Sequence, residues 1–278
     1  MTARPLLALT ILALIAFAGN SVLARLALAE GDIGAGGYTA IRLVSGAAML
    51  LVLVRPRIAW VFGTWPGALA LLGYAAGFSY AYLSLSTGTG ALILFALVQI
   101  TMLGAGFRTG ERLGAVQWAG VALAFAGLTV LLSPSLDAPS PSGALLMAIA
   151  GVSWGMYSLI GRSGGDPTAR TAGNFARASL LALPLAAIAI VAEDAPTMLG
   201  VIFAILSGAV TSGLGYAVWY RALPHLSASR AGVVQLSVPP LAATGGILLL
   251  SEPLTLPFAS ASLFILLGIW LAGWNARN

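Results

Sequence analysis

The chain has 278 residues, 59% of them hydrophobic and only 8% charged, and its thirteen cations outnumber its eight anions for a formal net charge of +5. A soluble domain carries about 25% charged residues, so this composition excludes a water-covered globular fold and makes lipid the solvent for most of the chain. There is no cysteine and one histidine, His225, which excludes a disulfide framework, a thiol nucleophile and a multi-histidine metal site; no cofactor and no metal are expected.

A membrane span needs about 20 apolar residues, and ten such stretches follow one another. The first, 5–29, contains Phe17-Ala18-Gly19-Asn20. Its Arg4 and the Ala27-Leu28-Ala29 run imitate a cleavable signal peptide, but the segment has a counterpart later in the chain and is expected to stay. The second, 33–55, holds Arg42 two to three turns from its start, which is its outer end if the N-terminus is inside. The third, 65–86, offers Phe78, Tyr80 and Tyr82 as aromatic walls, the Ser79 hydroxyl, and Gly73-x-x-x-Gly77 as a close-packing face. The short break at Thr87-Gly88-Thr89-Gly90 predicts that the third and fourth spans are antiparallel neighbours. The fourth, 90–107, contains Gln99, and the fifth is 113–133.

The sixth span, 142–161, carries Trp154 and Tyr157. The seventh, 169–192, carries Arg177 and Pro184. In the eighth, 196–221, a stripe of Gly208, Thr211, Ser212 and Gly215 reads as a packing surface, followed by Tyr216, Trp219 and Tyr220. The ninth, 227–250, contains Gln235 and is interrupted near its middle by Pro239-Pro240, which remove two backbone donors and free carbonyls. The tenth is 254–275.

With the N-terminus inside, the inner segments hold or border Arg4, Arg55, Arg57, Arg108, Arg112, Arg162, Arg170, Arg221, Arg230 and Arg277, and the outer loops have only Arg25 nearby. Basic residues collect on the cytoplasmic side, so both termini are expected inside. Spread over short loops in this way, the arginines are topology signals and not a nucleic-acid surface.

The two halves, 1–134 and 135–278, overlay at an offset that drifts from 135 to 141 residues: Gly19 on Gly155, Arg42 on Arg177, Gly77 on Gly215, Tyr82 on Tyr220, Val98-Gln99-Ile100 on Val234-Gln235-Leu236, Glu111-Arg112-Leu113 on Glu252-Pro253-Leu254, and Gly127 on Gly268. Five spans per half is odd, so the second half enters the membrane from the opposite side. Inverted repeats place a shared site near the midplane and let it face either side in turn. The expected fold is therefore an all-α membrane protein, a single transmembrane domain of ten helices in two inverted five-helix repeats around a central cavity.

Phe17-Ala18-Gly19-Asn20, Ser153-Trp154-Gly155, the paired Arg42 and Arg177 and the Glu-x-Leu entries at Glu111 and Glu252 give the chain, over essentially its whole length, a resemblance to the EamA branch of the drug/metabolite transporter superfamily, most closely to YddG-type aromatic amino acid exporters. Met156 stands where that pattern often has Asn in the second half, so the two half-sites are chemically unequal. The resemblance implies a monomeric carrier of the bacterial inner membrane that exports aromatic and other neutral amino acids. Alternatives are export of other metabolites or of drug-like cations, and a scaffold that transports nothing. An intramembrane enzyme is not expected, because His225 lies in a loop beside Pro224, away from any intramembrane serine.

A substrate that is both aromatic and zwitterionic needs apolar walls and hydrogen-bond partners. The candidates are Asn20, Gln99, Trp154, Tyr157, Tyr82, Ser79, Tyr216, Gln235 and Pro239. Each also has a plain reading as helix glue, ring packing or a kink. Arg42 and Arg177 are candidates for gating or carboxylate binding at the two mouths, or for hydrogen bonding to helix ends. Glu111 and Glu252 sit just ahead of helices, where a carboxylate stabilises the N-terminus, and no span has an acid near its middle. Transport by facilitated diffusion or exchange, without proton drive, is the expectation.

Overall fold

The fold comes from a computed structural model that describes residues 3–108, 114–132, 139–161, 165–226, 231, 234–235 and 237–274. Glu111, Arg112 and the charges at Asp137, Arg162, Arg230 and Arg277 lie outside these residues.

The regular elements among the described residues are all helices, without a strand. The helices are α1 (Ala3–Leu28), α2 (Ala35–Leu53), α3 (Pro56–Phe62), α4 (Trp65–Ala81), α5 (Thr87–Arg108), α6 (Ala115–Leu132), α7 (Pro141–Gly161), α8 (Pro167–Leu181), α9 (Leu183–Ala192) and α10 (Met198–Ile205). A π-helix (Leu206–Leu214) leads without a break into α11 (Gly215–Ala222), a short 3-10 helix (Leu223–His225) follows, and α12 (Val238–Leu250) and α13 (Leu256–Trp274) are the last described helices. Among the described residues, five stretches are long and apolar enough to cross a membrane: Arg4–Leu28, Ala35–Leu53, Thr87–Ala105, Pro141–Gly161 and Met198–His225. Two more candidate spans are bent pairs, α3 with α4 at 94° and α8 with α9 at 45°, and α6, α12 and α13 are shorter apolar helices.

Helix starts follow local chemistry. Thr64, Ser140, Asp166, Thr197 and Thr255 each accept a hydrogen bond from a first-turn amide, and all but Thr197 are followed within two residues by proline. A side-chain acceptor at the cap satisfies an orphan N–H, and proline at the first turn forfeits none. Pro184 opens α9 and accounts for the 45° bend there.

Polarity is inverted relative to a water-soluble bundle. Val52, Ile190, Val191 and Leu256 are more than four-fifths exposed, while Asn20, Thr39, Arg42, Ser79, Asn174, Ser207 and Ser212 are buried. Lipid solvates the first set at no cost, and the second can find partners only inside the bundle.

Packing runs mostly between the two halves of the chain. α4 and α5 both pack on α7; α1 packs along the π-helix, α11 and α12; α2 packs on the π-helix and on α8 and α9; α3 and α4 pack on α8; α5 packs on α12, and α6 on α13. The expected side-by-side pairing of the third and fourth spans is therefore corrected. α7 lies against both, because Gly77 brings α4 onto the Leu146 carbonyl and Gly151 brings α5 onto the Leu94 carbonyl. A short connection fixes only where two helices meet, not whether they lie together along their length.

Candidate functional site

Asn20 of α1 is buried and fully engaged. Its Nδ2 donates to the Tyr74 hydroxyl at 3.0 Å, and its Oδ1 accepts from Ser207 Oγ at 2.5 Å and Thr211 Oγ1 at 3.2 Å. Ser207 and Thr211 are four residues apart in the π-helix, and Ser212 follows immediately. With i→i+5 bonding the turn is wider than an α-helical one, so residues spaced four and five apart share a face. That face presents three hydroxyls to α1 and α2.

Arg42 enters the same cluster from α2 and is 1% exposed. Nε donates to Ser212 Oγ at 3.1 Å, and Nη2 donates to the hydroxyls of Tyr74 at 3.0 Å and Tyr216 at 3.1 Å. The guanidinium lies 5.0 Å from the Tyr74 ring centre and 4.8 Å from that of Phe78. Nη1 is buried and has no hydrogen-bond partner among the described residues. α2 and the π-helix meet at backbone distance, since a Cβ at Gly208 would collide with Ser45 Oγ and the Arg42 carbonyl.

Rings fill the space beside these groups. Trp154 lies 4.9 Å from Tyr74, 4.7 Å from Tyr216, 5.6 Å from Phe17 and 5.6 Å from Tyr157. Phe17 touches Tyr216 and Trp219 edge-on, and Phe175 stands 5.8 Å from Tyr216. Trp154 Nε1 donates to Gln235 Oε1 at 3.4 Å, and Gln235 Nε2 donates to the Ala231 carbonyl. Where the sequence leads one to expect an open central cavity, aromatic side chains pack against one another.

Of the expected site residues, Asn20, Arg42, Trp154 and Tyr216 come together, with Tyr157 and Gln235 in contact with Trp154. Others lie elsewhere. Ser79 is fully buried and turns its hydroxyl back to the Ala75 carbonyl at 2.8 Å. Tyr82 donates to the Thr87 carbonyl at the loop between α4 and α5, and Tyr80 faces the start of α2 near Glu193. Gln99 borders a small apolar pocket of about 20 Å³ between α5, α6 and α13. Pro239 and Pro240 occupy the first turn of α12 rather than the middle of a helix, because the helix breaks just ahead of them and restarts where missing N–H groups do no harm.

Arg177 departs from its counterpart. It donates to the Trp60 carbonyl at 2.8 Å and the Gly173 carbonyl at 3.3 Å, and stacks 4.0 Å from Trp60 and 5.4 Å from Trp65. It thereby holds α3, which the sequence reading took for a loop, against α8. Sequence reasoning also missed Tyr74 and Ser207. The available signal was hydroxyls recurring inside apolar spans, where each needs a partner.

At the end of the bundle expected outside, two carboxylates close helix starts across the chain. Glu252 accepts from Thr87 N and Thr87 Oγ1 and pairs with Arg25 Nε at 3.4 Å, while Arg25 Nη1 donates to the Tyr82 carbonyl at 2.9 Å. Glu193 accepts from Gly36 N at 2.7 Å and Gly37 N at 2.9 Å. A cavity of about 230 Å³ lined by Ser84, Thr89, Ser140, Glu252 and Phe258 lies over the first cluster, away from the ring cluster. The opposite end has a groove of about 610 Å³ between Pro5, Leu9, Pro167, Tyr220 and His225.

Residues 141–274 match the model of the EamA-like transporter family. An uncharacterized protein of Pseudomonas aeruginosa is 52% identical over 98% of this chain and 95% of its own length. An uncharacterized transporter of Archaeoglobus fulgidus is 27% identical over 80% of this chain and 82% of its own. A probable amino-acid metabolite efflux pump of Escherichia coli is 27% identical over 74% of this chain and 77% of its own. One solved crystal structure, 22% identical, superposes with a TM-score of 0.63 over 96% of this chain and 99% of that one, which is a likeness of fold. With apolar helices, an inside-out polarity and these relatives, the protein is a multi-pass membrane transporter that belongs to the EamA-like transporter family of the drug/metabolite transporter superfamily.

Proposed function

We propose that the chain is a ten-span exporter of neutral, mainly aromatic amino acids, working by alternating access as a facilitator or exchanger in the bacterial inner membrane, with both termini inside. The observation that carries this reading is the buried polar and aromatic cluster of Asn20, Arg42, Tyr74, Trp154 and Tyr216, contributed by helices from both halves of the chain. Rings suit an aromatic side chain, and hydroxyl, amide and guanidinium groups suit its polar end. The Escherichia coli relative's description as an amino-acid metabolite efflux pump supports the substrate class.

The packing supports the inverted repeat. Take α3 with α4, α8 with α9, and α10 through α11 as one segment each, so that the described helices group into ten segments. Exchanging every segment with the one five places on turns the α4–α7 contact into the α11–α1 contact, and the α5–α7 contact into the α12–α1 contact. The α2–π-helix contact becomes the α8–α4 contact, and α6–α13 maps onto itself. A site between halves arranged in this way is exposed to opposite sides by opposite rocking.

Counterflow in liposomes tests the reading. Vesicles preloaded with L-phenylalanine should take up labelled L-phenylalanine several times faster than empty ones, with L-tyrosine and L-tryptophan competing and a viologen-like dication not competing. Absence of counterflow for every aromatic amino acid, with uptake of the dication, sinks it.

A further inference from the structure

We propose that Arg42 is the carboxylate-recognition residue of the central site, so that the substrate binds through a carboxylate and not through its amine. The proposal rests on the transport reading above for the place of the site, and on the chemistry of one side chain for the ligand class.

Arg42 is a permanent cation, and among the described residues no anion stands beside it. Among the described residues the acids are occupied elsewhere or exposed: Glu252 on Arg25 and Thr87, Glu193 on Gly36 and Gly37, Asp166 on Thr168 and Ala169, Asp32 on Thr197, with Glu30 and Asp194 on the surface. What surrounds the guanidinium is neutral: the hydroxyls of Ser212, Tyr74 and Tyr216 and the faces of Tyr74 and Phe78. A buried charge without a counter-charge is strongly unfavourable, and hydroxyls alone do not remove that cost. A neutral amide or a methionine would join α2 to the π-helix without it, so helix adhesion does not account for a full charge at this position.

Donors outnumber acceptors around the charge. Nη1 has no partner among the described residues. The Tyr74 hydroxyl already accepts from both Asn20 Nδ2 and Arg42 Nη2, and the Tyr216 and Ser212 oxygens accept from Arg42. A hydroxyl that accepts from the cation still has its own proton to give. The group that completes the set must be an anion with several lone pairs, and an Arg–carboxylate pair with flanking hydroxyl donors is the strong form of that contact. Trp154, Phe17 and Phe175 around Tyr216 provide the wall for the organic part of the molecule. Since these rings pack together in the present state, binding separates them, and Trp154 reports the event.

The test titrates the purified full-length protein, following tryptophan fluorescence, with four phenyl compounds of similar size. 3-Phenylpropionate has only the carboxylate, phenethylamine only the amine, 3-phenyl-1-propanol neither, and L-phenylalanine both. The expected order places 3-phenylpropionate at least about tenfold tighter than phenethylamine and the alcohol. Arg42→Gln should erase that difference, and Arg42→Lys should retain part of it. Phenethylamine binding as tightly as 3-phenylpropionate, or no saturable binding of any carboxylate, overturns the proposal. If Arg42→Gln does not fold, the wild-type series decides alone. If 3-phenylpropionate binds with this preference and L-phenylalanine shows no counterflow, the amino acid reading falls and the carboxylate site stands.

Discussion

Asn20 and the two aligned arginines show how far a single side chain can be read. Asn20 ties α1 to α4 and to the π-helix through three hydrogen bonds. Interhelical hydrogen bonds in membranes average about 0.6 kcal/mol, and a buried partner left without its bond adds a penalty. Asn20→Ala should therefore lower stability by about 1–2 kcal/mol, read as a drop in Tm in detergent, and should slow counterflow as well. An unchanged Tm would mean that Ser207 and Tyr74 find other partners at no cost. Arg177 makes the opposite case. It aligns with Arg42 in the sequence, yet its guanidinium is spent on the Trp60 carbonyl and the Trp60 and Trp65 rings. Arg177→Gln should release α3 and cost about 1–2 kcal/mol, with the carboxylate preference of the central site left intact. Loss of that preference in Arg177→Gln would mean that the two arginines act as a pair. The repeat made both positions visible. It did not reveal α3, the short helix between α2 and α4 that the second arginine holds.

At the scale of elements, the π-helix is the feature that the sequence disguised. Gly208, Thr211, Ser212 and Gly215 at α-helical spacing look like a packing stripe; with π geometry, Ser207, Thr211 and Ser212 point to Asn20 and Arg42 while Gly208 meets α2. Helix existence was legible because lipid demands some twenty apolar residues per span. The turn type within a span was not, since every turn type satisfies that demand. Gly208→Ala places a methyl group against the Arg42 carbonyl and Ser45 Oγ. A carbonyl cannot rotate away, so the helices must part, and a loss of about 1–3 kcal/mol is expected from thermal unfolding; a neutral substitution would show that the contact is loose. The Glu252 cap is an element of a different kind, joining the α12–α13 connection to the start of α5 and to Arg25. Both partners are partly exposed, so the ion pair itself contributes little, and the amide and hydroxyl bonds of Thr87 carry most of the closure. The chain has no cysteine, which makes a single Leu85→Cys a clean reporter of that closure. Leu85 is 1% exposed. Adding Glu252→Gln should raise its labelling by a membrane-impermeant maleimide severalfold, and equal labelling rates would show that Glu252 does not hold this end shut.

For the whole molecule, charge placement sets what the proposed transport can be driven by. The offset matches led to the expectation of a shared site at the meeting of the halves without saying which side chains meet there, because an overlay of sequences aligns positions and not partners. Gln99 aligned with Gln235, but only Gln235 reaches Trp154. Absence of an acid from span centres was readable directly, and among the described residues the acids that are bonded serve helix starts or loops. The charge that is central is Arg42, which keeps its proton at any physiological pH. A carrier gains work from a proton gradient only if some group in its site takes up a proton on one side and loses it on the other, and a guanidinium does neither. A pH difference of about two units across sealed proteoliposomes, imposed alone, should therefore produce no accumulation of labelled L-phenylalanine, although the same gradient would support up to about a hundredfold accumulation in a tightly coupled one-proton antiporter. Accumulation that a protonophore abolishes would sink this expectation and direct the search to a titratable group outside the cluster, with His225 beside the groove near Tyr220 as the first to replace.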